Sequence, residues 1–520
     1  MKDELRQKPV LAMYDVRGIQ GYIFSTNRIK DIIGASELVE NIIIDGLRVI
    51  CRNNDWENEY YLIDWENDRH DAFLVNENVQ MQILFIGGGN AYVLFRHGEI
   101  CELVNRALAK YVLENTYSLN LAVAVVEKTE NYSADYEAIN LKMREVKSVM
   151  PQTKPMGAFP FMAVDSYTGY PLSVYDNSAK EYISTEARLK RKHLSRPEEA
   201  VKILDNMVTQ KGDSSILAVV HMDGNSMGGR IKSIMEGKTT YSEAICAMRR
   251  ISCNLKDEFA KCYQEMCLKI DCISDRVKAD AKGKLYRKII VAGDDITFIC
   301  NAKVALYAVK EFMKLVSNKV MYVEEGLSES ENRKKYALSA CAGIAFFKSH
   351  FPFSDAYEVA EACCGNAKRV AKLAGYRADG KEDGMTGCYV DYQMCSHIKA
   401  SELSAYREKN YLMPDGKLMV YRPYYVSAPV FDEVFDLNER NRERDMELIL
   451  WKNLKTFIEA DASRSKYKGL RNSFAFGLDE AEKEKVFLES RLVPLPGTHI
   501  STWYDALEIA DICELGGEEA

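Results

Sequence analysis

What most restricts this chain is an order of elements that occurs twice. Val10–Val16 is a short apolar strand with Asp15 near its end, and Tyr22–Ile50 then carries apolar residues at helical spacing (Ile29, Ile32, Ile33, Leu38, Val39, Ile42, Ile43). A hairpin follows over Val79–Phe95 with Gly87-Gly88-Gly89-Asn90 at its turn, then a helix over Ile100–Glu114 and a strand over Leu119–Val126. The order returns downstream. Ile216–Met222 is an apolar strand ending at Asp223, a helical stretch covers 226–272, and a second hairpin covers Arg287–Cys300. A helix over Lys303–Val316, a strand over Ala337–Phe347 and a helix over Ser354–Ala374 complete the second block.

Strand, helix, hairpin, helix, strand is the β-α-β-β-α-β split unit of ferredoxin-like folds. The chain is therefore predicted to be α+β, with two tandem ferredoxin-like palm domains and a C-terminal helical domain. The expected boundaries are 1–145 for the first palm, 206–395 for the second and 396–520 for the helical domain. Between the palms, 146–205 reads as a linker or small irregular module, because Pro and Gly cluster in PQTKPMGAFP. With 47% hydrophobic residues over 520 positions, several cores can be filled.

The two hairpins differ where chemistry would sit. The second carries Gly293-Asp294-Asp295 at its turn, two carboxylates side by side, and one strand upstream Asp223 is followed at once by Gly224 and Asn225. Adjacent like charges repel, and a hard divalent cation bound through oxygen relieves that repulsion. An isolated Gly-Asp-Asp is often only a solvent-exposed β-turn; the strand-end Asp223 is what favours the metal reading. The first hairpin offers GGGN and no carboxylate. Asp15 alone is a poor magnesium site, so the first palm reads as catalytically degenerate and the second as the working one.

Charge and cysteines narrow the class. The net charge of −8 argues against a duplex-coating protein. The 14 cysteines are scattered with no C-x-x-C pair, and they read as reduced core residues of a cytoplasmic protein. The N-terminus MKDELRQKPV is charged where a signal peptide is apolar, and no apolar run suits a membrane span. His70-Asp71 has no further ligands at helical spacing and reads as incidental. The basic run at 188–196 reads as a solvated helix face rather than a phosphate grip.

Four motifs carry a family resemblance: DGNSMG (Asp223–Gly228), AGDD (Ala292–Asp295), SACAGIAFF (Ser339–Phe347) and AEACCGNAK (Ala360–Lys368). Together they resemble the catalytic palm of the CRISPR type III large subunit. That family makes cyclic oligoadenylates and is distant kin of the GGDEF cyclases. DVRGIQGYIF and GASELVENI, both within Asp15–Ile42, look like the family's degenerate first palm, as does GGGN. The resemblance runs in order over residues 10–395. Departures are expected too. The chain starts at the first palm, with no room for the family's HD nuclease domain, and AVDSYTGYP lacks the cysteines of its four-cysteine zinc module, so no zinc is expected. The hairpin reads AGDD rather than GGDD. The chain looks like a compact, stand-alone relative.

The resemblance implies a nucleotidyltransferase that cyclises nucleoside triphosphates, ATP favoured, and releases pyrophosphate, as part of prokaryotic antiviral defence. Asp223 and Asp294 would share two Mg2+ or Mn2+ ions, with Asp295 and the Gly224 carbonyl completing the ligands. Asn225 and Gly293 would contact the nucleotide, and Lys368, aided by Arg369 or Lys372, would pair with the triphosphate. A second nucleotide would lie against Ser36, Gly88, Gly89 and Asn90. The alternatives are the cyclase subunit of an RNA-guided complex, a template-directed polymerase, and a non-catalytic nucleotide-binding scaffold. An activating RNA, complex subunits and a second copy of the chain are the partners to consider.

Overall fold

The computed structural model describes residues 5–87, 89–150, 158–194, 207, 216–277, 283–349, 351–374, 387–395, 398, 402–428, 439–460 and 464–513. The chain divides into two compact units, Met1–Val201 with Ser226–Asp257, and Lys202–Asn225 with Glu258–Ala520. Among the described residues no helix is long and apolar enough to cross a membrane. All the cysteines are free thiols, most of them buried.

The first unit is built on β1 (Val10–Arg17), β2 (Tyr61–Leu62), β3 (Met81–Gly87), β4 (Asn90–Phe95) and β5 (Asn120–Glu127), in sheet order β2-β3-β4-β1-β5. Strand β1 is central and antiparallel to both neighbours, and its register sets Asp15 opposite Asn90 on β4. The helix Ile29–Asn53 buries Ile32, Ile33, Leu38, Ile42 and Ile43, the stripe its spacing predicts.

The segment between the palms is more ordered than its Pro and Gly content suggests. It forms β6 (Leu172–Asp176) and β7 (Glu181–Ser184), followed by the helix Thr185–Lys192, whose N-terminus is capped by the Ser184 hydroxyl accepting from Ala187 N. The basic run is not simply a solvated face. Arg188 and Lys192 are exposed, but Lys190 is buried and donates to Glu186 at 2.7 Å, the Tyr22 carbonyl at 2.7 Å and Ser25 Oγ at 2.9 Å. Arg191 forks to Asp31 at 2.6 Å and Asp176 at 2.5 Å. These ion pairs fasten the module to the first palm; residues 195–206 lie outside the described set.

The helical stretch after Asp223 resolves into Met227–Met235 and the long helix Tyr241–Val277, and the part up to Asp257 belongs to the first unit. Arg249 explains why. Beyond Gln82 the outer edge of β3 has no strand partner, and the β3–β4 register shifts between Ile83 and Phe85. Arg249 donates to the carbonyls of Ile83 (2.8 Å), Leu84 (2.6 Å) and Asp68 (2.6 Å), and Ser252 to that of Ile86 (2.7 Å), so the helix covers this open edge.

The second unit repeats the strand order. Its sheet runs β13-β12-β11-β8-β10-β9, made of β8 (Ile216–Gly224), β9 (Tyr286–Ala292), β10 (Asp295–Asn301), β11 (Ala340–Lys348), β12 (Cys388–Met394) and β13 (Tyr424–Ser427). The central β8 is antiparallel to β10 and β11, as β1 is to β4 and β5. Strand β11 is buried up to Lys348, and the helix Phe353–Ala374 lies hard against it. Gly343 permits that approach, since a Cβ there would stand 1.8 Å from the Ala360 carbonyl oxygen. The C-terminal region is helical as expected, but it also supplies the edge strand β13. It is joined to the sheet by a buried polar network in which Arg407 clasps Asp391 at 2.9 and 3.0 Å and Arg422 meets Asp505 at 2.8 Å.

Candidate active site

Strand β8 delivers Asp223 to its end, and pairing with β10 on one side and β11 on the other fixes what surrounds it. Met222 lies opposite Ile296 and Asp223 opposite Cys341. The β9–β10 turn therefore comes beside Asp223. Gly293 takes φ +63° there, a conformation that favours glycine, and Asp295 opens β10 opposite Ala292. The charge of the Asp223 carboxylate acts on Asp294 at this turn.

Crowding beside Asp223 raises the proton affinity of Asp294 and Asp295. Burial, then the charge of Asp223, pushes Asp294 up to about 6. Burial and the charges of Asp223, Asp294 and Glu361 push Asp295 up to about 7. Asp295 Oδ1 is buried and accepts no hydrogen bond; His221 Nδ1 stands 3.5 Å away.

The cation at this site is Lys368. The helix Phe353–Ala374 is seated by Gly343, by Cys364 Sγ donating to the Cys341 carbonyl at 3.3 Å, and by Asn366 donating to Asp391 at 2.7 Å. One turn beyond Cys364, Lys368 Nζ donates to Asp223 Oδ2 and, at 3.0 Å, to the Gly224 carbonyl. Burial lowers the lysine's proton affinity, but the bond to Asp223 and the Asp223 charge together act against it, and the net shift is upward.

Sequence reading missed three neighbours. His221 lies two residues before Asp223 on the same face of β8, bonded to Thr297 Oγ1 at 3.1 Å and edge-on to the Tyr357 ring at 5.7 Å. Burial lowers its proton affinity to about 4, which keeps the ring neutral. Tyr357, Glu361, Cys364 and Lys368 recur at helical spacing, so Glu361 falls between the residue that touches His221 and the one that touches Asp223. The signal was available in that period of 3.6 from Tyr357 to Lys368.

The predicted residues separate. Asp223, Gly224, Gly293, Asp294, Asp295 and Lys368 converge in the second unit. Asn225 is there too. It is buried, with Nδ2 donating to Ser339 Oγ at 3.1 Å and the Gly387 carbonyl at 3.2 Å, so it ties the loop to the sheet. Arg369 is turned to Asn366 Oδ1 at 2.9 Å. Ser36, Gly89 and Asn90 belong to the first unit, and Gly88 lies outside the described residues. Ser36 is buried within its helix, and Asn90 Oδ1 is buried and accepts no hydrogen bond. The first unit also holds its own acid–lysine pair, Asp15 with Lys147.

Among the described residues, no group of three or more His, Cys, Asp and Glu side chains stands ready to hold a metal ion. The donor chemistry nonetheless suits a hard divalent cation: three carboxylates on adjoining strand ends, a strand-end carbonyl, and an unpartnered buried oxygen on Asp295. What occupies Asp223 and Gly224 is the Lys368 ammonium.

Residues 216–374 match the family described as Cas10/Cmr2, second palm domain. No curated protein matches the chain in sequence. Among solved structures, an apo Csm1–Csm4 cassette aligns with a TM-score of 0.50 at 13% identity, over 98% of this chain and 71% of that one. A Csm1–Csm4 cassette in complex with cA4 aligns with a TM-score of 0.49 at 12% identity, over 97% and 70%. Residues 216–374 are thus similar to the second palm of the Cas10/Cmr2 family, and the chain shares its fold with the apo Csm1–Csm4 cassette.

Proposed function

We propose that the second palm is a metal-dependent nucleotidyl cyclase, which makes a cyclic nucleotide messenger from nucleoside triphosphates, ATP favoured, in prokaryotic antiviral defence. The observation that carries this reading is the meeting of Asp223, Asp294 and Asp295 at one end of the sheet with Lys368 beside them. In the transfer, a ribose hydroxyl oxygen bonds to the α-phosphorus of a triphosphate, the bond to pyrophosphate breaks, and the hydroxyl proton is lost to solvent or a nearby base. Asp223, Asp294, Asp295 and the Gly224 carbonyl would hold two Mg2+ or Mn2+ ions, which when bound supply charge neutralisation and a more acidic hydroxyl. Lys368 would pair with phosphate oxygens. His221, neutral and bonded to Thr297, keeps a non-ionic group beside Asp295 and so adds no charge that would compete with a cation.

Kinship with the large subunits favours a second reading of the same chemistry, a cyclase subunit that works within an RNA-guided complex. One experiment separates the two. The purified chain is incubated with each NTP and Mg2+ or Mn2+, products are resolved by mass spectrometry, and an Asp294→Ala/Asp295→Ala variant is run in parallel. A cyclic product lost in the variant establishes the cyclase and names its base. Product formed only when complex subunits and target RNA are added supports the second reading. Absence of product under both conditions removes the proposal.

A further inference from the structure

The oxygens that Lys368 occupies are those the proposed metal site needs. Its ammonium bonds Asp223 Oδ2 and the Gly224 carbonyl together. A divalent cation cannot share both oxygens with an ammonium, because like charges at such distances repel. The contact is built into the fold. Cys341 sits opposite Asp223 in register, Cys364 is bonded to the Cys341 carbonyl, and Lys368 follows one helical turn later. The lysine is also free to leave, since its side chain is 31% exposed.

The first unit shows the same device without a rival for it. There Lys147, on the helix Tyr132–Val149 that follows β5, pairs with Asp15 on the central strand, as Lys368 on the helix after β11 pairs with Asp223. The hairpin of that unit opens with Asn90 where the second has Asp295, so no further carboxylate is present to attract a second cation.

We infer that Lys368 is a latch on the metal site: it holds Asp223 and Gly224 closed to divalent cations until the triphosphate draws its ammonium away. This rests on the nucleotidyl-transfer reading above and extends it to the order of events. Metal and nucleotide load together, and the chain without nucleotide takes up metal weakly. Binding of one then strengthens binding of the other by linkage.

The test measures Mn2+ binding to the whole chain by calorimetry, without nucleotide, so that activity plays no part. Four proteins are compared: wild type, Lys368→Met, Lys368→Arg and Lys348→Met. Lys348 is an exposed lysine at the far end of β11, and its change controls for net charge. Wild type and Lys368→Met are also measured with Asp294→Asn/Asp295→Asn added. The latch predicts that Lys368→Met binds Mn2+ at least about tenfold more tightly than wild type. Lys368→Arg and Lys348→Met should stay near wild type, and the aspartate changes should abolish the gain. Equal or weaker binding by Lys368→Met, with binding still dependent on the aspartates, overturns the latch and leaves the metal-site reading standing. Mn2+ binding that is absent from every protein, or indifferent to the aspartates, removes that reading and the latch with it. Circular dichroism melting of each variant shows whether the fold is kept, and Lys368→Arg provides the comparison should Lys368→Met unfold.

Discussion

Asp294 and Asp295 carry more negative charge than their surroundings accommodate, and this has a pH signature. Their proton affinities are raised to about 6 and about 7 in the folded chain, against roughly 3.9 when unfolded. Between these limits the folded state holds more protons than the unfolded one, so folding stability falls as pH rises from about 4 to 7 and then levels. A divalent cation competes with those protons. Thermal melting should therefore show a small Mn2+-induced stabilisation at about pH 5 and a larger one at about pH 8, measured at Mn2+ high enough to overcome Lys368. A response flat across that window would mean that these carboxylates are not the ligands. The two aspartates were legible because a Gly turn between apolar strands is a local pattern. The setting of Asn225 was not legible for the opposite reason: nothing local shows that its amide turns inward to Ser339 and Gly387.

At the scale of elements, the helix Phe353–Ala374 decides the site, because it brings Lys368 onto Asp223. Its distance from β11 is set by Gly343, where an added Cβ would lie 1.8 Å from the Ala360 oxygen and 2.4 Å from the Cys364 nitrogen. Both are backbone atoms, so the whole helix must shift. Gly343→Ala is expected to cost about 1–3 kcal/mol, as overpacking does, and to lower product formation through misplacement of Lys368. Gly365, in the same helix, would give a Cβ open space, and Gly365→Ala should stabilise by about 0.5–1 kcal/mol. Denaturant titration of the two variants checks the pair; similar behaviour would show that the helix does not depend on this approach. The hairpins and long helices were legible from periodicity, as the Ile29–Asn53 stripe illustrates. The β6–β7 hairpin was not, because it is short and its stability rests on pairs such as Arg191 with Asp31 and Asp176 that join residues far apart in the chain.

At the scale of the whole molecule, each unit is closed by a buried arginine. In the first, Arg249 satisfies two carbonyls at the β3 edge and that of Asp68, and Arg249→Met should cost about 1–3 kcal/mol through donors lost to buried acceptors. In the second, Arg422 and Asp505 are both wholly buried in their side chains. Arg422→Met strands a buried carboxylate, at a cost of about 3–5 kcal/mol. Limited proteolysis should open Met1–Val201 with Ser226–Asp257 in the first variant and Glu258–Ala520 in the second; cleavage in the other unit would refute the assignment of each arginine.

The amino-acid sequence by itself determined the duplicated order of elements, the α+β class and the three carboxylates of one palm. Each of these rests on interactions between near neighbours: alternation along strands, 3.6-residue periodicity and turn chemistry. Only the tertiary structure decided that Lys368 closes on Asp223, that His221 sits beside Asp295, that Asn225 faces inward and that Ser226–Asp257 joins the first unit. Those outcomes depend on strand register and on hydrogen bonds between residues distant in sequence. Their energies arise only once the chain has brought the partners together.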